Sequence, residues 1–225
     1  MNNSLPENPN AQSSTPNSQL SILNSPLPRT LSLYQFDQRY YEQAIPFAGI
    51  DEAGRGPLAG PVVAGCVVMP THPVIDGIDD SKRLSEKKRE ALYQQIIETA
   101  VFYRAGIASV SEIERENILG ATKLAMARAA LGAPCRFFLV DGLHVALPGE
   151  TVAIVHGDAL SYSIAAASIV AKVTRDRLMR KLDEEYPQYG FAGHKGYGTK
   201  AHIEAIRAHG PCAEHRKLFI RKFIA

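Results

Sequence analysis

Short apolar runs alternate along this chain with longer stretches of helical periodicity, and the alternation begins near residue 47. Phe47-Ala48-Gly49-Ile50 predicts a strand that runs into Asp51-Glu52. A glycine-rich turn, 54–60, leads to a second apolar run, 62–68, so the two runs read as a hairpin. Helical spacing follows at 85–99, with Leu92, Ile96 and Ile97 on one side after Ser85, and again at 111–131. Ser111 and Glu114 have capping-box spacing and Gly132 supplies the stop. A strand is expected between these helices at 101–108. Short buried strands are expected at 137–140 and 152–155, ending in Asp141-Gly142 and in His156-Gly157-Asp158. A long Ala-rich helix over about 159–185 comes next. Beyond Pro187 lie a Gly/aromatic loop and two short basic helices. Strands interleaved with helices predict an α/β protein with a mixed sheet.

The first thirty residues break this pattern. They are rich in Asn, Ser, Pro and Gln, and bury too little apolar surface to offset chain entropy, so 1–30 is expected to be a disordered tail. Residues 31–45 are a lead-in, with a short helix at 34–43. A main domain over 46–185 and a C-terminal segment over 186–225 complete the expected organisation. At 225 residues the chain is long enough for one sizeable core.

The net charge of +2 says little about partners, but its distribution says more. Residues 171–225 hold 12 of the 25 Lys+Arg and only 6 of the 23 Asp+Glu. A basic C-terminal quarter suits a polyanion, although a solvated helical surface has the same composition. Three widely separated cysteines without a C-x-x-C argue against a disulfide framework or a zinc site and fit a reducing compartment. No secretory signal and no membrane-spanning run is apparent, so a cytoplasmic protein is expected.

Candidate chemistry sits at the strand ends. Asp51 and Glu52 close one apolar strand, Asp141 closes another, and Asp158 follows a third. Hard divalent cations take oxygen ligands, and in α/β sheets ligands gather outside the carboxyl ends of strands. Neighbours on a strand point to opposite faces, so Asp51 and Glu52 share a site only if the chain bends there. Each acid also has a structural reading: Asp141-Gly142 as a turn, Asp158 as a helix N-cap, Asp51-Glu52 as a solvated strand end. Gly54-Arg55-Gly56 suits close backbone approach to a ligand, with Arg55 on a phosphate, and equally suits a plain hairpin turn. Asp80-Ser81-Lys82 lies in a polar loop. Ser168, Lys172 and Arg175 share one side of the long helix, where they hold phosphates or form a solvated face. Tyr197, between Gly196 and Gly198 and near His194, Lys195 and Lys200, either stacks on a sugar or base or packs its own loop.

In order along the chain, these motifs resemble one family. Residues 48–62, Ala-Gly-Ile-Asp-Glu-Ala-Gly-Arg-Gly-Pro-Leu-Ala-Gly-Pro-Val, are similar to the opening signature of bacterial ribonuclease HII, a type 2 RNase H. Asp80-Ser81-Lys82, Val140-Asp141-Gly142, Gly157-Asp158, the run 164–176, Gly196-Tyr197-Gly198-Thr199, His202 and His215-Arg216 match its later blocks, so the resemblance spans about 46–219. It implies an RNase H-like mixed five-stranded sheet flanked by helices, with a small helical C-terminal extension. It implies that Asp51, Glu52, Asp141 and Asp158 are the catalytic acids and hold two divalent ions, Mn²⁺ or Mg²⁺. It further implies that Gly54, Arg55 and Gly56 recognise the 2′-hydroxyl at an RNA–DNA junction and that Tyr197 stacks on the adjacent deoxyribose. Ser81, Lys82, Ser168 and Lys172 are expected near the phosphates.

The implied activity is hydrolysis of the RNA strand of RNA–DNA hybrids, single ribonucleotides embedded in duplex DNA included. Cutting falls 5′ of the ribonucleotide and leaves 3′-hydroxyl and 5′-phosphate ends. The implied substrates are hybrids and ribonucleotide-containing DNA duplexes, with no membrane partner and a monomeric chain. Two rivals remain on the residues alone: another divalent-metal phosphotransferase, weakened by the lack of a P-loop motif, and a nucleic-acid-binding module with a structural acid cluster.

Overall fold

The computed structural model describes residues 27–43 and 45–224. Five strands form one sheet in the order β3-β2-β1-β4-β5: β1 is Phe47–Ala53, β2 Val62–Val68, β3 Phe102–Ala108, β4 Phe137–Asp141 and β5 Glu150–Ile154. The expected hairpin is present, with Ile50 opposite Cys66, and β3 extends it antiparallel. β4 joins β1 in parallel, and β5 joins β4 in parallel. The described residues also form α1 (Arg29–Tyr41), α2 (Glu86–Thr99), α3 (Val110–Ala130), α4 (Tyr162–Glu185), α5 (Phe191–His194), α6 (Lys200–His209) and α7 (Lys217–Ile220). None is long and apolar enough to cross a membrane.

Period-two alternation builds two cores. Ala48, Ile50, Phe138 and Val140 face α3, while Phe47 and Leu139 face α4. α4 presses close to the sheet because Gly49 and Gly65 lie beneath it: a Cβ on Gly49 would stand 2.2 Å from the Ser163 carbonyl carbon. The helix meets Gly49 with the Ser163 and Ile164 backbone and Gly65 with Ala167 and Ala171, and it buries Ala165, Ala166 and Ala167 in the core on this side.

Several element boundaries differ from the expected ones, each for a local reason. Residues 1–26 of the expected tail lie outside the described residues, but residues 29 and 30 already belong to α1. That helix buries Thr30, Leu33, Tyr34 and Asp37, a helical stripe half made of polar groups. The capping box of α3 is Ser109 with Glu112, not Ser111 with Glu114, and Asn117 at φ 58° breaks the helix within. α4 starts at Tyr162 under a Ser161 cap, so Asp158 is not its N-cap.

Candidate active site

The sheet places two acids side by side. β1 and β4 pair in register through Ile50 and Val140, and Asp51 and Asp141 follow one position on, both on the α4 face. Asp158 comes from the 3₁₀ turn Gly157–Ala159 that leads into α4. One carboxylate oxygen from each of Asp51, Asp141 and Asp158 lies within 4.8 Å of the others. Glu52 is not part of this trio. β1 stays regularly paired through Glu52 and Ala53 with no bend, so the Glu52 side chain leaves on the opposite face. It still borders the same cleft. Its Oε1 accepts from Arg55 at 3.3 Å, while its Oε2 is buried without a hydrogen-bond partner.

The cluster is electrostatically loaded. Burial, then the charges of Glu52 and Asp141, hold the Asp51 carboxyl well above the ordinary carboxylate value. Burial and Asp158 raise Asp141, and burial raises Glu52 against the pull of Arg55. Asp141 Oδ1 accepts from the Gly157 amide at 2.6 Å, and Asp158 Oδ2 accepts from Lys82 Nζ at 2.8 Å. Lys82 is raised despite partial burial, chiefly by that bond to Asp158. Three converging carboxylates plus an orphaned Glu52 oxygen fit hard divalent cations, which take oxygen donors and relieve this repulsion.

A cleft of about 470 Å³ opens over the acids. Gly54, Arg55 and Gly56 form one wall, and Ser81, Lys82, Lys172 and Tyr197 approach from other sides. Lys172 is held by Asp176 at 2.6 Å, and burial lowers its pKa against that pairing. Tyr197 is 46% exposed and lines the cleft. Ser168, expected near phosphates, is buried instead. Its Oγ donates to the Ala165 carbonyl and accepts from the Ser81 amide, so it fixes the Ser81-Lys82 loop from below. Arg175 is also buried. One helical turn from Lys172 is not enough to share its face here, because the guanidinium turns under the glycine turn and donates to the carbonyls of Ala59, Pro61 and Lys195.

Arg216 is the residue whose role the sequence concealed. It is fully buried, and its guanidinium donates to the carbonyls of Gly54, Arg55, Pro57, Gly60 and Pro61 at 2.7–3.3 Å. Burial and the nearby Arg175 charge bring its pKa down to about 9.

Behind Tyr197 lies a histidine relay whose tautomers the hydrogen bonds fix. The Cys212 amide donates to His215 Nδ1 at 3.0 Å, so a neutral His215 carries its proton on Nε2. That proton goes to His202 Nε2 at 3.1 Å, and His202 Nδ1 then donates to the Tyr197 carbonyl at 2.9 Å. Burial lowers both imidazoles, His215 to about 4, which keeps the relay neutral.

Fold and site together define a metal-dependent nuclease of the RNase H type. The ribonuclease HII family profile matches residues 48–224, and the chain belongs to that family. It is 53% identical over 190 residues to ribonuclease HII of Geobacillus kaustophilus, covering 83% of this chain and 73% of the relative. Over 175 residues it is 55% identical to that of Delftia acidovorans, covering 76% and 74%. Among solved structures it is similar to ribonuclease H2 from Pyrococcus horikoshii, with a TM-score of 0.64 and 26% identity over 80% of this chain and 97% of that one. The chain is thus an endoribonuclease of RNA–DNA hybrids that depends on divalent metal.

Proposed function

We propose that the chain cuts RNA at RNA–DNA junctions, including one ribonucleotide embedded in duplex DNA, on the 5′ side of the ribonucleotide to leave 3′-hydroxyl and 5′-phosphate ends. The observation that carries this reading is that the carboxylate trio, the Gly54-Arg55-Gly56 turn and the exposed Tyr197 ring meet at one cleft. Asp51, Asp141 and Asp158, with the free oxygen of Glu52, hold two divalent ions. When bound, these ions supply a water of lowered pKa and neutralise charge at the phosphorus and the leaving oxygen. The protein groups bind and orient. Lys82 and Lys172 face the scissile and neighbouring phosphates, with Ser81 beside them. The amides of Arg55 and Gly56 read the 2′-hydroxyl, the group that distinguishes RNA from DNA. Tyr197 stacks on the sugar of the next deoxynucleotide. The carboxylates act as ligands, and none is assigned as the base. This chemistry suits ribonucleotide excision and primer removal by a single copy of the chain in the cytoplasm.

A labelled DNA duplex carrying one ribonucleotide tests the reading. Cleavage at its 5′ side with Mn²⁺ or Mg²⁺, and none with EDTA, is the expected result. Binding without cutting would favour a plain nucleic-acid-binding module, and neither binding nor cutting would favour a phosphotransferase with another substrate.

A further inference from the structure

The turn at 54–61 is gripped from behind by two arginines. Arg216 takes the carbonyls of Gly54, Arg55, Pro57, Gly60 and Pro61, and Arg175 takes those of Ala59 and Pro61. Neither arginine has a carboxylate within salt-bridge distance among the described residues. A buried guanidinium without a paired counter-ion is costly, and these two are compensated chiefly by carbonyl dipoles. In a planar trans peptide the C=O and the following N–H point in opposite directions. Drawing the Gly54 and Arg55 carbonyls onto Arg216 therefore turns the Arg55 and Gly56 amides away from it. Among the described residues neither amide has a hydrogen-bond partner. Gly54, at φ +99°, leaves the space that Arg175 fills, since a Cβ there would lie 2.1 Å from its Nε.

Arg175 also reaches the other side of the cleft. Arg175 donates to the Lys195 carbonyl at 2.9 Å, its guanidinium carbon stands 6.0 Å from the Tyr197 ring centre, and the Leu58 amide donates to Gly196 at 2.8 Å. The turn and the Tyr197 loop are far apart in sequence, and these buried donors, with the packing of Gly196 on Ala59 and of Gly198 on Leu58, hold one against the other.

We propose that Arg216 and Arg175 are positioning residues for junction specificity: they aim the Arg55 and Gly56 amides at the ribose and hold them at a set distance from Tyr197. This rests on the reading of the turn and of Tyr197 given above. Both readers must be satisfied by adjacent nucleotides, so loosening the grip costs discrimination between ribose and deoxyribose before it costs general affinity for duplex.

The test is binding in EDTA, where no cutting occurs. Affinity for a duplex with one embedded ribonucleotide is divided by affinity for the same duplex in DNA alone. The ratio is measured for the wild type, Arg216→Lys and Arg175→Lys, together with their melting temperatures. Lysine keeps the charge but not the fork of donors. We expect the ratio to fall about tenfold or more in either variant, as for loss of charge-assisted hydrogen bonds at a specificity site, with all-DNA affinity nearly unchanged. A merely structural role would lower melting and leave the ratio at the wild-type value, which would overturn the proposal. A wild-type ratio near one would instead overturn the underlying reading of the turn. Should a variant not fold, wild-type hydrogen exchange decides. The Arg55 and Gly56 amides must slow on binding the ribonucleotide duplex and not the DNA duplex, and equal exchange in both complexes would overturn the proposal.

Discussion

Asp51 and Asp141 stand at the same level of two adjacent parallel strands and on the same face of the sheet, so their carboxylates meet although ninety positions of sequence separate them. Burial, then Glu52 and Asp141, raise the pKa of Asp51, and burial, then Asp158, raise that of Asp141. Activity and stability should therefore move in opposite directions. Asp51→Asn or Asp141→Asn is expected to cut turnover by about a thousandfold or more while hybrid binding persists. A carboxyl whose folded pKa lies above its unfolded one costs stability as pH rises through that interval. The metal-free Asn variants should then melt higher than the wild type at pH 7. Turnover assays and thermal melts in EDTA check both halves.

Tyr197 projects into the cleft on a loop braced by the neutral His215–His202 relay. Tyr197→Ala is expected to lose activity on a single embedded ribonucleotide at least as much as on long hybrids. Unchanged kinetics on both substrates would remove the stacking role.

The relay has its own pH signature. A histidine whose folded pKa is depressed gives stability that is present above the unfolded value and lost as pH falls toward the folded one. For His215 that window runs from about 6.5 down to about 4. Melting temperature should drop across it, and the drop should be smaller in His215→Asn.

Asp37 on α1 behaves in the opposite sense. It is fully buried and accepts from Ser161 Oγ at 2.7 Å and the Ser163 amide at 2.8 Å, yet burial raises it to about 6. Its ionisation costs stability as pH climbs from about 4 to 6. Asp37→Asn should gain over the wild type across that window, by roughly 3 kcal/mol at most, and match it below pH 4. Paired denaturation curves at several pH values measure the difference.

Much of the site was legible because apolar strands announce their own ends. Asp51 and Asp141 follow unmistakable runs, and the turn glycines mark where the backbone comes close. What stayed hidden was burial of polar groups. Arg175 and Arg216 look in sequence like any surface arginine, since their partners are carbonyls that every residue carries. Helix spacing puts Ser168 and Arg175 beside Lys172, on phosphates or on a solvated face, and spacing does not say which side of a helix faces the sheet. The start of α1 was missed because Thr30 and Asp37 occupy its buried stripe. Glu52 was expected to need a bend beside Asp51. Instead the strand stays straight and the cleft opens around its end, reaching both faces.

Gly49 offers a check on packing rather than chemistry. An added Cβ would meet the α4 backbone at Ser163 and Ile164, which cannot shift without moving the helix that carries Lys172. Gly49→Ala should destabilise the protein by about 3 kcal/mol or more, read from chemical denaturation.

The most direct measurement is Mn²⁺ binding to the protein without nucleic acid, followed by calorimetry in the wild type, Asp51→Asn and Asp141→Asn. Saturable binding in the wild type that is abolished or greatly weakened in both variants is the predicted result. Equal binding in all three proteins would contradict a cation site built by these strand ends.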